Sequence, residues 1–324
     1  MRDVFARRGN VSRALRCNGR AGRPRSQEKN VKELAKAIRA KNAMLFVGAG
    51  VSMNLGTPSW AELTAHMAER LGIAPDEFAR LGDPQTLAEY YALETGSLGP
   101  LRSWMDVAWH RDAVERVRAS DIHRLIVELG FPVIYTTNYD RYLELAHEAH
   151  GAPYTKIADI GAMTRTVPGA TQIVKFHGDF EDDRSIVLTE SSHFERLSLE
   201  GPLDLKLRAD LIGRVALFIG YSVSDVGVRY LIYRLHRMWS GSAAAQARPP
   251  AYVFLGRPNP VQARVLSSWG IVPVFAEGED IGEGLKQFLE ELRTEVRRDE
   301  PRPEPDHRPA PAAKRKTSPK KPRR

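Results

Sequence analysis

Residues 43–52 read AMLFVGAGVS, an apolar run that breaks directly into two glycines one residue apart. The apolar run at 44–47 predicts a strand buried on both faces, as in parallel sheets that helices cover on each side. Gly48 and Gly50 follow at once, and glycine lets a backbone turn sharply and approach a phosphate without an intervening Cβ. Residues 59–62, SWAE, then have the spacing of a capping box at a helix start. Strand, glycine turn and helix together predict one side of a nucleotide site.

Alone, the glycine pair also fits a simple tight turn, because Met53 stands where the dinucleotide fingerprint has its third glycine. Three later segments strengthen the prediction, since each is a β-rich run that ends in polar residues. They are FPVIYTTNYD at 131–140, IVKFHGDF at 173–180 and VALFIGYSVSD at 215–225. Open α/β sheets bind ligands at the carboxyl ends of their strands, so we expect four strands to deliver polar residues to one edge.

The four motifs GAGVS, TTNYD, FHGD and GYSVSD, in this order and spacing, resemble those of the SIR2-like family, the bacterial relatives of sirtuins. The resemblance covers roughly residues 43–234. It implies a Rossmann-like domain that binds NAD and cleaves its nicotinamide–ribose bond. In sirtuins the acceptor is an acetyl-lysine oxygen, whereas in many bacterial SIR2-like proteins it is water, and the net reaction is NAD hydrolysis.

Departures from the sirtuin pattern bear on the choice of acceptor. Sirtuin deacylases usually carry a zinc ribbon with two paired cysteines, whereas this chain has the single cysteine Cys17, so we expect no metal. Ser59 and Trp60 replace the Asp-Phe-Arg that follows the sirtuin glycine loop, and Thr137 replaces the glutamine before the site asparagine. These features resemble the SIR2-like branch associated with antiphage defence, and they make lysine deacylation the less favoured interpretation.

Asn138 and His177 are the predicted catalytic residues. The asparagine amide can hydrogen-bond a ribose hydroxyl and orient a water, and imidazole titrates near neutral pH, which suits a general base. His177 precedes Gly178 at a predicted strand end, which matches the sirtuin catalytic position. The structural alternatives are a strand-end turn for Asn138 and a packing role for His177.

The remaining predicted contacts to NAD follow from the resemblance and from the loops that carry the motifs. They are Gly48, Ala49, Gly50 and Ser52 at the pyrophosphate, Asp140 either at the nicotinamide amide or fixing Asn138, and Gly220 and Ser222 on the adenosine side. Tight turns are the alternative for the glycines, and a helix N-cap is the alternative for Asp140.

Strand and helix patterns alternate as far as residue 296, which predicts a Rossmann-like α/β fold with a doubly wound, mostly parallel sheet. Residues 64–130 have helical periodicity and few strand signals, so we expect a helical insertion over the cofactor cleft. Residues 185–188 are predicted to form a short additional strand. The SIR2-like domain is expected to span residues 30–296.

The formal net charge of +8 is concentrated at the two ends of the chain. Residues 1–29 and 297–324 each carry seven more basic than acidic residues, which leaves the intervening part mildly acidic. We predict a disordered basic N-terminal arm and a disordered Pro/Lys/Arg-rich tail. Solvated tails are the favoured interpretation, and weak, salt-dependent contact with nucleic acid is the alternative.

No run of about 18 apolar residues and no secretory signal core are visible, so we expect a cytoplasmic protein without a membrane segment. The leading hypothesis is a NAD glycohydrolase that uses water as acceptor and serves as a regulated effector of bacterial antiphage defence. Since such an activity is toxic, the resemblance implies control by homo-oligomerisation or by a separately encoded sensor protein. The alternatives are a NAD-dependent protein deacylase or ADP-ribosyltransferase, and a non-catalytic module that binds NAD or ADP-ribose.

Overall fold

The computed structural model describes residues 25–221, 226–276 and 278–298. Ser222 and most of the predicted arm and tail lie outside these ranges. Within them, no helix has both the length and the apolar character that crossing a bilayer requires.

One sheet of seven strands forms the centre of the structure, and every strand pair in it is parallel. The strands are β1 (Ala43–Val47), β2 (Val133–Thr136), β3 (Tyr154–Ile157), β4 (Thr171–Lys175), β5 (Val215–Ile219), β6 (Ala251–Leu255) and β7 (Ile271–Phe275). Their order across the sheet is β3-β4-β2-β1-β5-β6-β7. The prediction of a Rossmann-like, mostly parallel sheet is therefore confirmed.

Fifteen helices in the described ranges surround the sheet. They are α1 (Arg25–Arg39), α2 (Ala49–Met53), α3 (Trp60–Leu71), α4 (Pro75–Phe78), α5 (Pro84–Thr95), α6 (Gly99–His110), α7 (Ala113–Arg118), α8 (Asp121–Leu129), α9 (Tyr142–Ala149), α10 (Ile160–Met163), α11 (Glu190–Arg196), α12 (Pro202–Gly213), α13 (Val226–Ser240), α14 (Pro260–Ser268) and α15 (Ile281–Arg297). Helix α3 begins with the capping box that residues 59–62 predict.

Strand β1 is buried along its whole length because helices cover both faces of the sheet. Successive side chains of a strand point to opposite faces. Leu45 and Val47 accordingly pack in the core beneath α1, α8 and α15, whereas Met44 and Phe46 pack in the core beneath α12, α13 and α14. The apolar run at 44–47 thus supplies both cores, as its sequence predicts.

The order of the strands brings four loops together at one edge of the sheet. The chain leaves β1 for β2 on one side, and it later returns to β5 on the other side of β1. Because all the strands are parallel, the loops after β1, β2, β4 and β5 share the carboxyl edge. This reversal of strand order is the place where open α/β sheets bind their ligands.

Residues 60–129, here called the helical module, fold as the six helices α3 to α8. Leu63 and Met67 of α3 are buried in a core of the module. The same core includes Tyr139 from the loop after β2 and Phe180 from the loop after β4. The module therefore packs directly on the loops at the carboxyl edge of the sheet.

Three local predictions differ from the structure. The predicted strand at 185–188 is wrong, because residues 183–185 form a 3₁₀ turn and the chain beyond it makes no ladder. The edge strand β3 was not predicted, since only Ile157 of its four residues is buried and its apolar signal is weak. Helix α1 begins at Arg25, inside the predicted arm, because its apolar face packs on the central core despite the basic composition around it.

Candidate functional site

The loops after β1 and β5 interlock through glycine. The Gly48 amide donates to the Ile219 carbonyl oxygen at 3.0 Å, and the Gly50 amide donates to the Gly220 carbonyl oxygen at 2.8 Å. A Cβ on Gly48 would lie 2.5 Å from the Gly220 carbonyl oxygen, and Gly220 itself has φ +57°. Glycine is therefore required here for backbone approach. Two of the amides predicted to face a phosphate are committed to the fold.

Asn138, near the start of the loop after β2, reaches across to the glycine loop. Its Nδ2 donates to the Gly48 carbonyl oxygen at 3.1 Å and to Ser52 Oγ at 2.9 Å. Since a carbonyl oxygen can only accept, this pairing fixes which end of the amide faces Gly48. The other end, Oδ1, is buried and has no hydrogen-bond partner among the described residues. A buried acceptor without a partner costs about 1–3 kcal/mol, and a ligand hydroxyl would relieve that cost.

Asp140 both stabilises a turn and lines a cavity. Its Oδ1 accepts a hydrogen bond from the Tyr142 amide at 3.0 Å, which fixes the turn that leads into α9. The residue is 4% exposed and lines the cavity described below. The buried Lys175 ammonium donates to the main-chain oxygen of Asp140. The same ammonium lies 3.5 Å from the buried carboxylate of Glu144.

His177 follows β4 and is 7% exposed. Its main-chain oxygen accepts from the Val187 amide at 3.0 Å, and its ring meets the His193 ring edge to face, with 5.4 Å between the centroids. Gly178 has φ +80°, and a Cβ there would collide with the Ser185 carbonyl group. The glycine of the FHGD motif is therefore needed for the course of the loop, and that course places the histidine at the cavity.

A cavity of about 580 Å³ lies between the carboxyl edge of the sheet and the helical module. Of the predicted site residues it is lined by Ala49, Gly50, Ser52, Asn138, Asp140, His177 and Gly220. Gly48 contacts the site through its hydrogen bond from Asn138. The structure thus brings together eight of the nine predicted residues, while the ninth, Ser222, lies outside the described residues. These positions do not test the roles assigned to them.

The cavity also has lining residues that the sequence did not reveal. The helical module contributes Trp60, Pro84, Gln85 and Trp109, and helix α11 contributes His193. His193 lies in the sequence ESSHFER, which contains no recognisable motif. An amphipathic pattern predicts that a helix exists, but not which of its residues will face a distant loop. These lining residues could therefore not be predicted from the sequence.

A second cavity of about 350 Å³ adjoins the first at the interlocked glycines. Gly50, Gly220 and Tyr221 line both cavities. Asn259 and Arg257, which follow β6, line only the second. Gly50 and Gly220 therefore lie where the two cavities adjoin, a place called here the glycine waist. Within the described residues, no cluster of three or more His, Cys, Asp or Glu side chains could hold a metal ion.

Residues 132–274 match the family model described as the SIR2-like domain. Together with the doubly wound parallel sheet and the ordered motifs at its carboxyl edge, this match confirms the predicted resemblance to the SIR2-like family.

The relatives agree with that class. The chain is 30% identical over 212 residues to a protein named NAD(+) hydrolase ThsA from Bacillus cereus (strain MSX-D12). That alignment covers 63% of this chain and 42% of the other protein. It is 31% identical over 206 residues to a protein of the same name from Enterococcus faecium, covering 62% of this chain and 41% of that protein. It is 25% identical over 226 residues to defense-associated sirtuin 2 of Bacillus subtilis, covering 65% of this chain and 21% of that protein.

The chain therefore spans about two fifths of the length of the curated NAD(+) hydrolase relatives that it matches. Among solved structures, one described as the crystal structure of a SIR2 homolog–NAD complex aligns with 15% identity and a TM-score of 0.45. That alignment covers 83% of this chain and 94% of the other.

Proposed function

We propose that this protein is a NAD glycohydrolase, which cleaves the nicotinamide–ribose bond of NAD and uses water as acceptor. The observation that carries the proposal is the cavity at the carboxyl edge of the sheet, where Asn138 and His177 stand together and Asn138 Oδ1 is buried without a partner. The relatives named NAD(+) hydrolase support the choice of substrate and acceptor.

The shape of the site suits a dinucleotide. The larger cavity has a volume typical of small-molecule sites, and it would take the nicotinamide and its ribose. The smaller cavity would take the adenosine half. The pyrophosphate would then cross the glycine waist at Gly50 and Gly220, which line both cavities. Ser52 lies beside this waist, and Ser222 is proposed to contribute from the adenosine side.

Cleavage of the nicotinamide–ribose bond depends more on electrostatic stabilisation of the transition state than on covalent catalysis. Nicotinamide leaves from a cationic glycosyl centre, so positive charge moves onto the ribose as the bond breaks. The Asp140 carboxylate at the cavity wall would favour that charge. Asn138 Oδ1 would accept a hydrogen bond from a ribose hydroxyl and so hold the sugar. These two groups act on the transition state rather than on the adenosine half.

Water completes the reaction from the opposite face of the ribose. The water oxygen bonds to the anomeric carbon as the carbon–nitrogen bond breaks. The electron pair of that bond goes to the pyridine ring, which leaves as neutral nicotinamide. His177 would accept the proton that water loses and pass it to solvent. The products are nicotinamide and ADP-ribose, and attack by a group within the substrate would give a cyclic isomer instead.

We further propose that the enzyme is a regulated cytoplasmic effector of bacterial antiphage defence. The name of the Bacillus subtilis relative, defense-associated sirtuin 2, supports this role. A NAD-consuming activity has to be restrained until it is needed, so control by homo-oligomerisation or by a separately encoded sensor belongs to the proposal. The basic ends of the chain are candidate contacts for nucleic acid.

The proposal is tested by incubating the purified full chain with NAD and separating the products by chromatography. Wild type should release nicotinamide, and Asn138→Ala and His177→Ala should each lower the rate by about 100-fold or more. Asn42→Ala, an exposed asparagine at the opposite edge of the sheet, is the matched control and should retain the wild-type rate.

Other outcomes would contradict the hydrolase. Nicotinamide release that requires an acylated peptide would indicate a deacylase. Tight binding of NAD without turnover, in the presence of candidate partners, would indicate a non-catalytic binding module.

A further inference from the structure

The last residue of α6, His110, connects the helical module to the loop that carries Asn138. Its Nδ1 lies 2.7 Å from Asp106 Oδ1 and 3.0 Å from the Asp106 main-chain oxygen. Its Nε2 lies 3.0 Å from the main-chain nitrogen of Arg141, whose N–H points to it. Both atoms that face Nδ1 accept, and an amide N–H can only donate. The ring proton therefore resides on Nδ1, and Nε2 is an acceptor.

The imidazole ring is held by two aromatic neighbours as well as through its nitrogens. The Tyr142 ring packs edge to face at 6.0 Å between centroids, and the Phe180 ring does the same at 5.8 Å. Aromatic pairs prefer this arrangement, which fixes the direction in which the nitrogens point. His110 is thus set in one orientation and in one tautomer.

The group that His110 holds is the backbone immediately after Asp140. The neighbouring residue of α6, Trp109, adds a second attachment, because its main-chain oxygen accepts from the Tyr142 hydroxyl at 2.6 Å. The Trp109 side chain lines the cavity. The end of α6 therefore lines the cavity and also anchors the segment that carries Asn138 and Asp140.

We propose that His110 is a positioning residue for the reaction: by accepting the Arg141 amide, it fixes the Asn138–Asp140 segment in the geometry that the transition state requires. The inference rests on the proposed NAD cleavage. It assigns the helical module a part in the chemical step, in addition to covering the cleft. Because the glycine waist and the second cavity do not contact His110, its loss should lower kcat more than it weakens binding of NAD.

Two substitutions separate this role from packing. His110→Phe keeps an aromatic ring between Tyr142 and Phe180 but removes the acceptor, whereas His110→Gln places an amide oxygen near the position of Nε2. Val107→Ala, at an exposed neighbour on α6, is the control. In each protein we would measure hydrogen exchange at the Arg141 amide and, separately, kcat and KM for NAD.

His110→Phe should speed exchange of the Arg141 amide and lower kcat about tenfold, the effect of one lost hydrogen bond, while KM changes by less than about threefold. His110→Gln should restore most of kcat and of the amide protection. Val107→Ala should resemble wild type in both measurements.

An unchanged kcat in His110→Phe would overturn the inference. A rise in KM that accounts for the whole loss of kcat/KM would overturn it as well. Equal loss of kcat in the Phe and Gln variants, with amide protection restored in the Gln variant, would overturn it as well. If wild type leaves NAD intact, the proposed function fails, whereas the exchange data still decide the anchoring: unchanged Arg141 protection in His110→Phe would show that His110 does not hold this loop.

Discussion

Replacing Lys175 by methionine should destabilise the protein strongly, because the change leaves a buried carboxylate without its counter-charge. Lys175 is 0% exposed at the end of β4, and its ammonium lies 3.5 Å from Glu144 Oε1. Glu144 is 1% exposed, and neither of its carboxylate oxygens has a hydrogen-bond partner among the described residues. The ammonium is therefore the main compensation for the charge of Glu144.

The magnitude follows from the distance and the burial. Two unit charges 3.5 Å apart attract by about 5 kcal/mol at an effective dielectric constant of about 20. Removing one partner of a buried pair costs about 3–5 kcal/mol, because the other charge stays buried. Methionine occupies most of the space of the lysine stem, so little of the loss should come from a cavity. We expect Lys175→Met to lower the free energy of unfolding by about 3–5 kcal/mol.

Urea denaturation of a double-mutant cycle is the suitable assay. The four proteins are wild type, Lys175→Met, Glu144→Gln and the double variant, with free energies taken from linear extrapolation. The double variant removes both charges and should be more stable than Lys175→Met, with a coupling energy of about 2 kcal/mol or more. Lys36→Met, at an exposed position of α1, is the control and should change stability by less than about 0.5 kcal/mol.

Two results would contradict a stabilising role for the buried pair of Lys175 and Glu144. One is a coupling energy below about 0.5 kcal/mol, which would mean that the two groups do not stabilise each other. The other is a loss in Lys175→Met no larger than that in Lys36→Met.

Three further predictions concern the fold and the site. Gly220→Ala should lower the free energy of unfolding, measured by urea denaturation, by about 2 kcal/mol more than Gly72→Ala. Both glycines have positive φ, but only at Gly220 would a Cβ collide, 2.5 Å from the Val51 amide nitrogen. Equal losses of stability would contradict the interlocking of the loops. Burial lowers the pKa of His123 to about 4, against an opposing effect of the Asp140 carboxylate, so the unfolded chain takes up its proton first. The stabilisation from neutral His123 is complete above about pH 6.5 and is lost as the pH falls toward 4, by about 3 kcal/mol in all. His123→Gln should therefore flatten the dependence of Tm on pH between these values, and an unchanged slope would contradict the assignment. Asn138→Asp should lower nicotinamide release by about 100-fold or more, since a second acceptor would face the Gly48 carbonyl oxygen; a rate near that of wild type would argue against the role of the amide.

The centre of the fold could be predicted because its signals are local. The apolar runs at 44–47 and 215–219 are continuous, and both strands are buried throughout. The edge strand at 154–157 escaped prediction because it is short and half-buried, so its sequence lacks an apolar run. Helix α1 was missed because basic residues dominate the composition there, while its stability comes from packing on a distant core.

The site could be predicted only where its residues follow a strand. Asn138 and His177 end motif strands, and parallel strands bring such residues to one edge without further information. His110, Trp109 and Lys175 had no such signal. Two of them come from the end of a helix that tertiary packing brings to the cavity, and the third is a lysine inside a strand, where a charged residue ordinarily indicates exposure. The glycine loop was predicted at the right place, although its amides serve the fold more than expected.

NAD hydrolysis by this protein is tested by measuring nicotinamide release from NAD in the absence of any acyl substrate. The full chain would be mixed with NAD and followed by proton magnetic resonance, which resolves nicotinamide, NAD and ADP-ribose in one spectrum, beside folded Asn138→Ala at the same concentration. We expect one nicotinamide for each NAD consumed by wild type, and no change in the spectrum with Asn138→Ala. NAD that stays intact with wild type and candidate partners, or is cleaved equally fast by Asn138→Ala, would contradict it.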